Sequence, residues 1–445
     1  MLASLFPFMR RFTVAAAVLA LCAACAQADA TDLVTALRER AIRLEDPPDL
    51  TPLIERIAPA RLVLLGEASH GTSEFYTLRA KISRELILNH GFRFIAVEGD
   101  WNSLYRLNRY VKGTGPADTS AREIMAGFTR WPVWMWANEE TAELIEWLRQ
   151  HNEALPPEER VGFYGIDVYG KDDALRALPL ALESIHPEKG EWLRGEYALF
   201  DPYLDDLHDY VRALQRGAPS GADAARAAVE RLRDGRDELE IDDAEFLHLK
   251  QMAWVVKNAE KHYRAMAMRS PDSWNFRVDH FYQTVERLMD FYGPEARGVV
   301  WAHNTHIGDA RATDMAQRGQ RNIGQLARQN RDAAEVAAVG FGTHRGTVLA
   351  GRSWGGRMER MTTPPAAPGT LEAAMHEASE GNLLFLLDDA PPALRQRIGH
   401  RAIGVIYHPE REVPGNYVAT VLPQRYDAFL FIEETKALTP VRRQE

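Results

Sequence analysis

The chain alternates short apolar runs with long stretches of helical pattern. Leu62-Val63-Leu64-Leu65 is an uninterrupted apolar run that stops at Gly66. A helical stretch follows from Ser73 to about Asn89, with Phe75, Ile82 and Leu86 on one face, and Gly91 closes it. A second apolar run, Phe94-Ile95-Ala96-Val97, ends at Glu98. Two such runs around an amphipathic helix specify a βαβ unit.

The same pattern predicts further strands at 161–166, 298–302, 335–342, 382–387, 402–407 and 427–432. Residues 31–60 read as a helical lead-in carrying Leu33, Leu37 and Ile42, before a turn at Pro47-Pro48. Residues 138–150 read as a capped amphipathic helix. Residues 172–292 are mostly helical in pattern, with 190–270 as an insertion and loop signals from Gly217 to Gly221. Pro364-Pro365 and Pro391-Pro392 mark loops. No tandem repeat or low-complexity tract interrupts this order. The fold class is α/β: a mostly parallel sheet core flanked by helices, with a large helical excursion.

Parallel strands bring their carboxyl ends to one edge, where open α/β sheets bind ligands. The first strand delivers Glu67 and His70 there, the second Glu98 and Asp100, the third Asp167, and the fourth His303 and His306. One polar strand ending is ordinary. Four on one edge make a cluster of convergent titratable groups.

Arg79 shares the apolar face of the 73–89 helix with Phe75 and Ile82. A guanidinium there needs a carboxylate partner or a route to water for its head group. Two roles stand open: a structural salt bridge or snorkelling stem, or a reach to the carboxylates at the sheet edge or to a substrate carbonyl. Trp101 follows Asp100, and Trp131, Trp134 and Trp136 follow Phe128. At this spacing they form core, or the wall of a cleft for a bulky apolar substrate. In the second case Trp101, Trp131 and Trp136, with Asp167, bind the substrate.

Some motifs fail their context. Gly351-Arg352-Ser353-Trp354-Gly355 has the G-x-S-x-G form, but it runs into Thr362-Thr363-Pro364-Pro365, a loop where a helix is required. Gly340-Phe341-Gly342 lacks the spacing of a dinucleotide loop, and there is no Walker-type phosphate loop.

The 445 residues are 46% hydrophobic and 26% charged, which suits a soluble protein of one large domain or a few smaller ones. A net charge of −10 argues against a general nucleic-acid binder. Arg10-Arg11 precede an apolar run from Phe12 to Ala26, and Ala26-Gln27-Ala28 fits a cleavage site. The run is shorter than the roughly 20 residues of a spanning helix. The expectation is therefore a signal peptide over 1–28, a mature domain over 29–445 without an integral membrane span, and a periplasmic location. Cys22 and Cys25 both fall inside the leader, so a mature chain holds no disulfide, thiolate zinc site or thiol nucleophile. Leu21-Cys22-Ala23-Ala24-Cys25 is an imperfect lipoprotein signal, and acylation at Cys25 would tether the chain. The sequence carries no signal for oligomeric state.

The converging residues support three readings. In the first, His70 acts as general base on water, a carboxylate orients it, Arg79 and His303 face the oxyanion, and His306 protonates the leaving alkoxide. No metal or other cofactor is needed. In the second, Glu67, His70, Glu98, His303 and His306 are ligands of a catalytic metal. The third is a non-catalytic periplasmic binding protein with an acidic cleft.

Leu65-Gly66-Glu67-Ala68-Ser69-His70-Gly71-Thr72-Ser73-Glu74-Phe75, Arg79 and Val97-Glu98-Gly99-Asp100-Trp101 together resemble the erythromycin esterase family. Trp301-Ala302-His303-Asn304-Thr305-His306, Asn416-Tyr417 and Arg425-Tyr426-Asp427-Ala428 extend the resemblance in order through nearly the whole mature chain. It implies an α/β core with a helical lobe over the cleft. It also implies hydrolysis of a small-molecule ester or lactone, the macrolactone of erythromycin-type macrolides, by an activated water without a metal. By matching position, His70 is the base, and Glu67, Arg79, Glu98 and His303 are its companions. The stretch from Trp274 to His280 departs from the family motif, in which an acid directly follows the arginine. Here Val278 separates Arg277 from Asp279.

Overall fold

A computed structural model of the protein describes residues 31–116, 118–204 and 207–441. The expected leader over 1–28, with Cys22 and Cys25, lies outside the described residues. In chain order the strands are β1 (Ile42–Leu44), β2 (Leu62–Leu65), β3 (Phe94–Asp100), β4 (Gly162–Asp167), β5 (Gly298–Trp301), β6 (Val336–Gly351), β7 (Met358–Thr363), β8 (Asn382–Leu386), β9 (Arg397–Arg401), β10 (Tyr417–Val421) and β11 (Ala428–Thr435).

Nine of these form one sheet in the order β1-β8-β11-β6-β2-β5-β3-β4, with β7 paired to β6. β4, β3, β5, β2, β6 and β11 run parallel, β8 and β7 run antiparallel to them, and β1 pairs antiparallel with β8. The expected βαβ unit is present, but β2 and β3 are not neighbours. β5 lies between them. It therefore delivers His303 between the strand ends that carry Glu67 and Glu98.

The apolar runs are continuous because the parallel strands are buried on both faces. Leu62, Leu64, Phe94, Ala96 and Val300 enter one core with Leu178, Met252, Val256, Phe281 and Val285 of the helical region. Val63, Leu65, Ile95, Val97 and Val299 enter the other with Phe75, Ile82, Leu86, Leu104 and Leu148. Each fully buried Leu or Val contributes about 1.5–3 kcal/mol. The two cores thus hold the parallel strands rigidly beneath the edge where the polar groups collect.

The helix Ser73–His90 starts after extended Thr72 and stops at Gly91, whose φ of 69° a residue with a Cβ rarely adopts. Asn138 caps the helix Glu139–Glu153 by accepting a hydrogen bond from Thr141 N. The helical excursion comprises Lys171–Ile185, Pro187–Tyr197, Leu207–Gln215, Ala222–Asp234, Asp243–Ala267 and Asp272–Tyr292. The last of these reaches the sheet edge with Trp274 and Arg277.

Two local expectations change. Ile42 lies in edge strand β1, because Ile42 to Leu44 find Leu384 to Asn382 as antiparallel partners. Residues 402–407 are not a strand. They make only isolated bridges, Ser69 to Ile403 and Gly351 to Ile406, while neighbouring Arg397–Arg401 pairs with Tyr417–Val421. Among the described residues no helix is long and apolar enough to cross a membrane.

Candidate active site

Glu67 lies two residues past the end of β2 and is completely buried. Its Oε1 accepts from Nδ1 of His70 at 2.8 Å, and its Oε2 accepts from Nη2 of Arg79 at 2.8 Å. Arg79 is completely buried on the apolar face where the helical pattern places it. Its guanidinium lies 4.4 Å from the Tyr76 ring centre and 4.7 Å from that of Trp301. Of the two roles open to Arg79, the structure gives the carboxylate at the sheet edge. The guanidinium meets Glu67 and does not line the cavity.

A carboxylate shared with an arginine acts only as an acceptor, so His70 carries its hydrogen on Nδ1 and leaves Nε2 bare. Burial pushes the His70 pKa down. The charge of Glu98 and the hydrogen bond to Glu67 outweigh it, and the net direction is upward.

Glu98 is the hub of the opposite side. Its Oε1 meets Nη2 of Arg277 at 3.1 Å and Nε2 of His306 at 3.3 Å. Its Oε2 accepts from the backbone N–H of His303 at 3.0 Å. Burial raises its pKa, but His306, His70 and Arg277 together hold it well below the usual carboxylate range. Arg277 grips Asp167 with two bonds, Nε to Oδ1 at 3.0 Å and Nη2 to Oδ2 at 2.6 Å. Asp100 pairs with Arg130 at 2.5 Å and keeps Oδ1 buried without a partner. Burial drives its pKa up against the pull of Arg130.

His303 opens the turn Asn304–Ile307, and its Nδ1 accepts from the backbone N–H of Thr305 at 3.3 Å and, in that tautomer, from the Thr305 hydroxyl at 2.8 Å. Its hydrogen therefore sits on Nε2, which is buried near the backbone carbonyl of Ala68. Burial and neighbouring His70 push the His303 pKa well down, so the ring is a neutral donor at neutral pH. The rings of His70 and His303 are 4.9 Å apart. His306 stacks flat on Trp274, with centres 4.7 Å apart.

These groups surround a cavity of about 400 Å³. His70, Glu98, Asp100, Asp167, Arg277, His303 and His306 line its polar side, and Phe128, Val133, Met135, Trp136 and Trp354 its apolar side. The expected tryptophan wall divides. Trp136 lines the cavity and donates from Nε1 to the Glu98 carbonyl at 2.9 Å. Trp131 is not part of the lining; its ring is 4.8 Å from that of Trp354, and its Nε1 donates to the Gly356 carbonyl at 2.9 Å. Trp101 turns into the core, stacked on Tyr105 and Tyr164. Ser353 sits in the turn between β6 and β7, followed by a strand, so the hydrolase elbow is absent there.

Arg277 was not among the residues expected from sequence. One signal was available: it precedes Phe281 by four and Leu288 by eleven, a charge on an apolar helical face like Arg79. The displaced acid, Asp279, turns aside to bind Arg321 at 2.6 and 2.8 Å.

No three of the five residues considered as metal ligands bring donor atoms within 4.8 Å of one another. Both oxygens of Glu67 are engaged by His70 and Arg79. Among the described residues, the only three donors within 4.8 Å of one another are His344, His376 and Glu433, outside this cavity.

Over 170 residues the chain is 32% identical to an erythromycin esterase type II of Escherichia coli. That match covers 38% of this chain and 32% of the esterase, so it spans about a third of that relative's length. A Bacillus cereus protein of solved structure superposes with a TM-score of 0.76 at 18% identity, over 93% of this chain and 99% of that one. The open conformation of a mutant erythromycin esterase, EreC, superposes at 0.64 and 18% identity, over 91% and 99% of the two chains. These likenesses show the fold. The erythromycin esterase family model matches residues 87–435, a stretch that holds Glu98, Asp167, Arg277, His303 and His306, while Glu67, His70 and Arg79 precede it and join the same site in space. The chain belongs to the erythromycin esterase family, a membership that supports a hydrolase.

Proposed function

We propose that the protein hydrolyses an ester or lactone with a water activated by His70, without a metal. The observation that carries this reading is the buried chain Arg79–Glu67–His70. It fixes Nδ1–H and turns bare Nε2 toward the cavity. A histidine so oriented is the base half of a hydrolytic triad. The serine of the lining, Ser103, makes no hydrogen bond to His70 among the described residues, and water takes the nucleophile's place.

Water attacks the carbonyl carbon as His70 Nε2 takes one of its protons. The Nε2–H of neutral His303 faces the oxyanion. The tetrahedral intermediate collapses, the C–O bond breaks, and His70 returns the proton to the leaving alkoxide. His306, held by Glu98 and Trp274, is placed to assist that transfer. Glu67 and Arg79 act through His70. Asp100 and Asp167 lie on the substrate side, and Trp136 supplies apolar contact.

The cavity volume falls at the lower end of the roughly 300–1,000 Å³ typical of ligand pockets. It takes the carbonyl region of a macrolactone with the remainder outside, or a whole smaller lactone. Family membership and the likeness to named erythromycin esterases support the first. With its expected leader, the enzyme would meet the substrate in the periplasm.

The test is mass spectrometry of erythromycin after incubation with purified protein, with and without a chelator. A gain of one water in both arms is the expected outcome. A product lost on chelation overturns the metal-free mechanism, and no mass change overturns erythromycin as substrate.

A further inference from the structure

A second cluster lies outside the cavity. β6 and β11 are parallel, with Ile432 opposite Thr343 and Glu434 opposite Arg345, so Glu433 and His344 stand side by side. The helix Leu371–Ala378 crosses them and adds His376. One donor atom from each residue lies within 4.8 Å of the other two. The rings of His344 and His376 are 3.9 Å apart and 11° from parallel, and His376 Nδ1 is 2.8 Å from Glu433 Oε1.

The cluster is poorly satisfied by the protein itself. Nδ1 of His344 and Oε2 of Glu433 are buried without a hydrogen-bond partner, and Nδ1 of His376 meets only Oε1 of Glu433. Buried polar atoms are rarely left so, and two in one place call for a shared partner. The nearby guanidinium of Arg401 is already committed to the carbonyls of Thr343 and His344 and to Glu412.

We propose that His344, His376 and Glu433 form a zinc site that pins the helix Leu371–Ala378 to β6 and β11. Two imidazoles and one carboxylate suit a borderline metal such as Zn²⁺, with water as fourth ligand. Mg²⁺ and Ca²⁺ prefer all-oxygen sets. Zinc–nitrogen bonds are about 2.0–2.1 Å, so the donors must close by about an ångström. His376 makes that adjustment, because its side chain is 39% exposed and free to turn its lone pair inward. The same exposure is the entry path. The site is separate from the cavity and does not rest on the proposed hydrolysis.

The test is calorimetric titration of zinc chloride into chelator-stripped, full-length protein, compared with His376→Ala and Glu433→Gln. Crystals soaked in zinc are read by anomalous scattering at the zinc edge. The expected result is one zinc equivalent bound by the wild type. Its affinity falls at least about tenfold in each variant, since even outer-shell losses cost about 10–100-fold. The anomalous peak lies between the three side chains, and zinc raises the melting midpoint of the wild type alone. Both substituted residues are partly exposed, so matching midpoints of the metal-free proteins verify folding. Equal affinity in wild type and variants, or a peak only beside His303 and His306, overturns the proposal.

Discussion

His70 donates Nδ1–H to Oε1 of Glu67 at 2.8 Å, and this bond decides which nitrogen meets the cavity. The His70→Ala variant keeps the Glu67–Arg79 pair and removes a ring that no other described group replaces. Its kcat should fall by about 10²–10⁴-fold, the usual worth of a positioned base, with an unchanged circular dichroism spectrum. Full activity in a folded His70→Ala protein would sink the mechanism.

Glu67→Gln tests a different link. The amide can accept from His70 with one atom, but its NH₂ then confronts Arg79, whose Nε and Nη1 are already buried without partners. Breaking a buried pair by removing one charge costs about 3–5 kcal/mol. Urea denaturation should show a loss of that order in Glu67→Gln, and a smaller one in His70→Ala. The reverse ranking would mean that Arg79 finds its counter-charge elsewhere.

The pH profile follows from the neighbours of His70. Burial lowers its pKa, but Glu98 and Glu67 raise it further, so the net value lies above the ordinary 6.5. A base must be unprotonated. The rate constant kcat/KM should therefore rise with pH through an inflection above 6.5 and then level off. Stability contributed by the charged ring runs the other way. It is present below the unfolded pKa and lost as pH rises through the folded one. In Glu98→Gln the raising charge is gone, and the inflection should move to lower pH. An inflection that stays in place would separate Glu98 from the titration of His70.

Arg277 joins two elements distant in sequence, the end of β3 through Glu98 and the end of β4 through Asp167. Arg277→Ala leaves both carboxylates buried without that guanidinium. Stability should fall by about 3–5 kcal/mol. Arg277→Lys should recover part of it, since an ammonium cannot make the two-bond grip on Asp167. Melting midpoints and kcat of the two variants, measured together, separate charge from geometry. Equal losses in both would assign the effect to geometry alone.

What the sequence made legible depends on whether burial is two-sided. The runs at 62–65, 94–97 and 298–301 were readable because both faces are covered and every position is apolar. Strands β9 and β10 were not. They carry Arg397, His400, Arg401 and Thr420, and their pairing is set by a partner about twenty residues away rather than by local pattern. Residues 402–407 misled for the opposite reason, being apolar without a continuous partner. At the site, the strand-end rule found Glu67, Glu98, Asp167 and His303, since parallel topology alone places them. It could not find the interposition of β5, the cavity-facing Arg277, or the turn of Trp101 into the core. Each of these depends on which helix packs over which strand.

Gly66 and Asn304 give the most local test. A Cβ on Gly66 would lie 2.1 Å from Oδ1 of Asn304. Asn304 cannot easily yield. Its N–H donates to the Glu67 carbonyl at 2.9 Å, and its Nδ2 donates to the Phe341 carbonyl at 2.6 Å and to His400 Nε2 at 3.1 Å. His400 is fixed in turn, donating Nδ1–H to buried Glu372 at 2.5 Å. Asn304 therefore carries the positions of His303 before it and His306 two residues after. Gly66→Ala should cost about 1–3 kcal/mol, as overpacking does. It should also lower kcat by about 10²-fold, the effect of displacing a catalytic group by roughly an ångström. Gly195→Ala is the control. Gly195 lies in the helix Pro187–Tyr197 with nothing within 4 Å of an added Cβ. That change should leave kcat unaltered and raise stability by about 0.5–1 kcal/mol. If Gly66→Ala keeps wild-type kcat at a lowered melting midpoint, the turn bearing His303 and His306 is held by contacts other than Asn304.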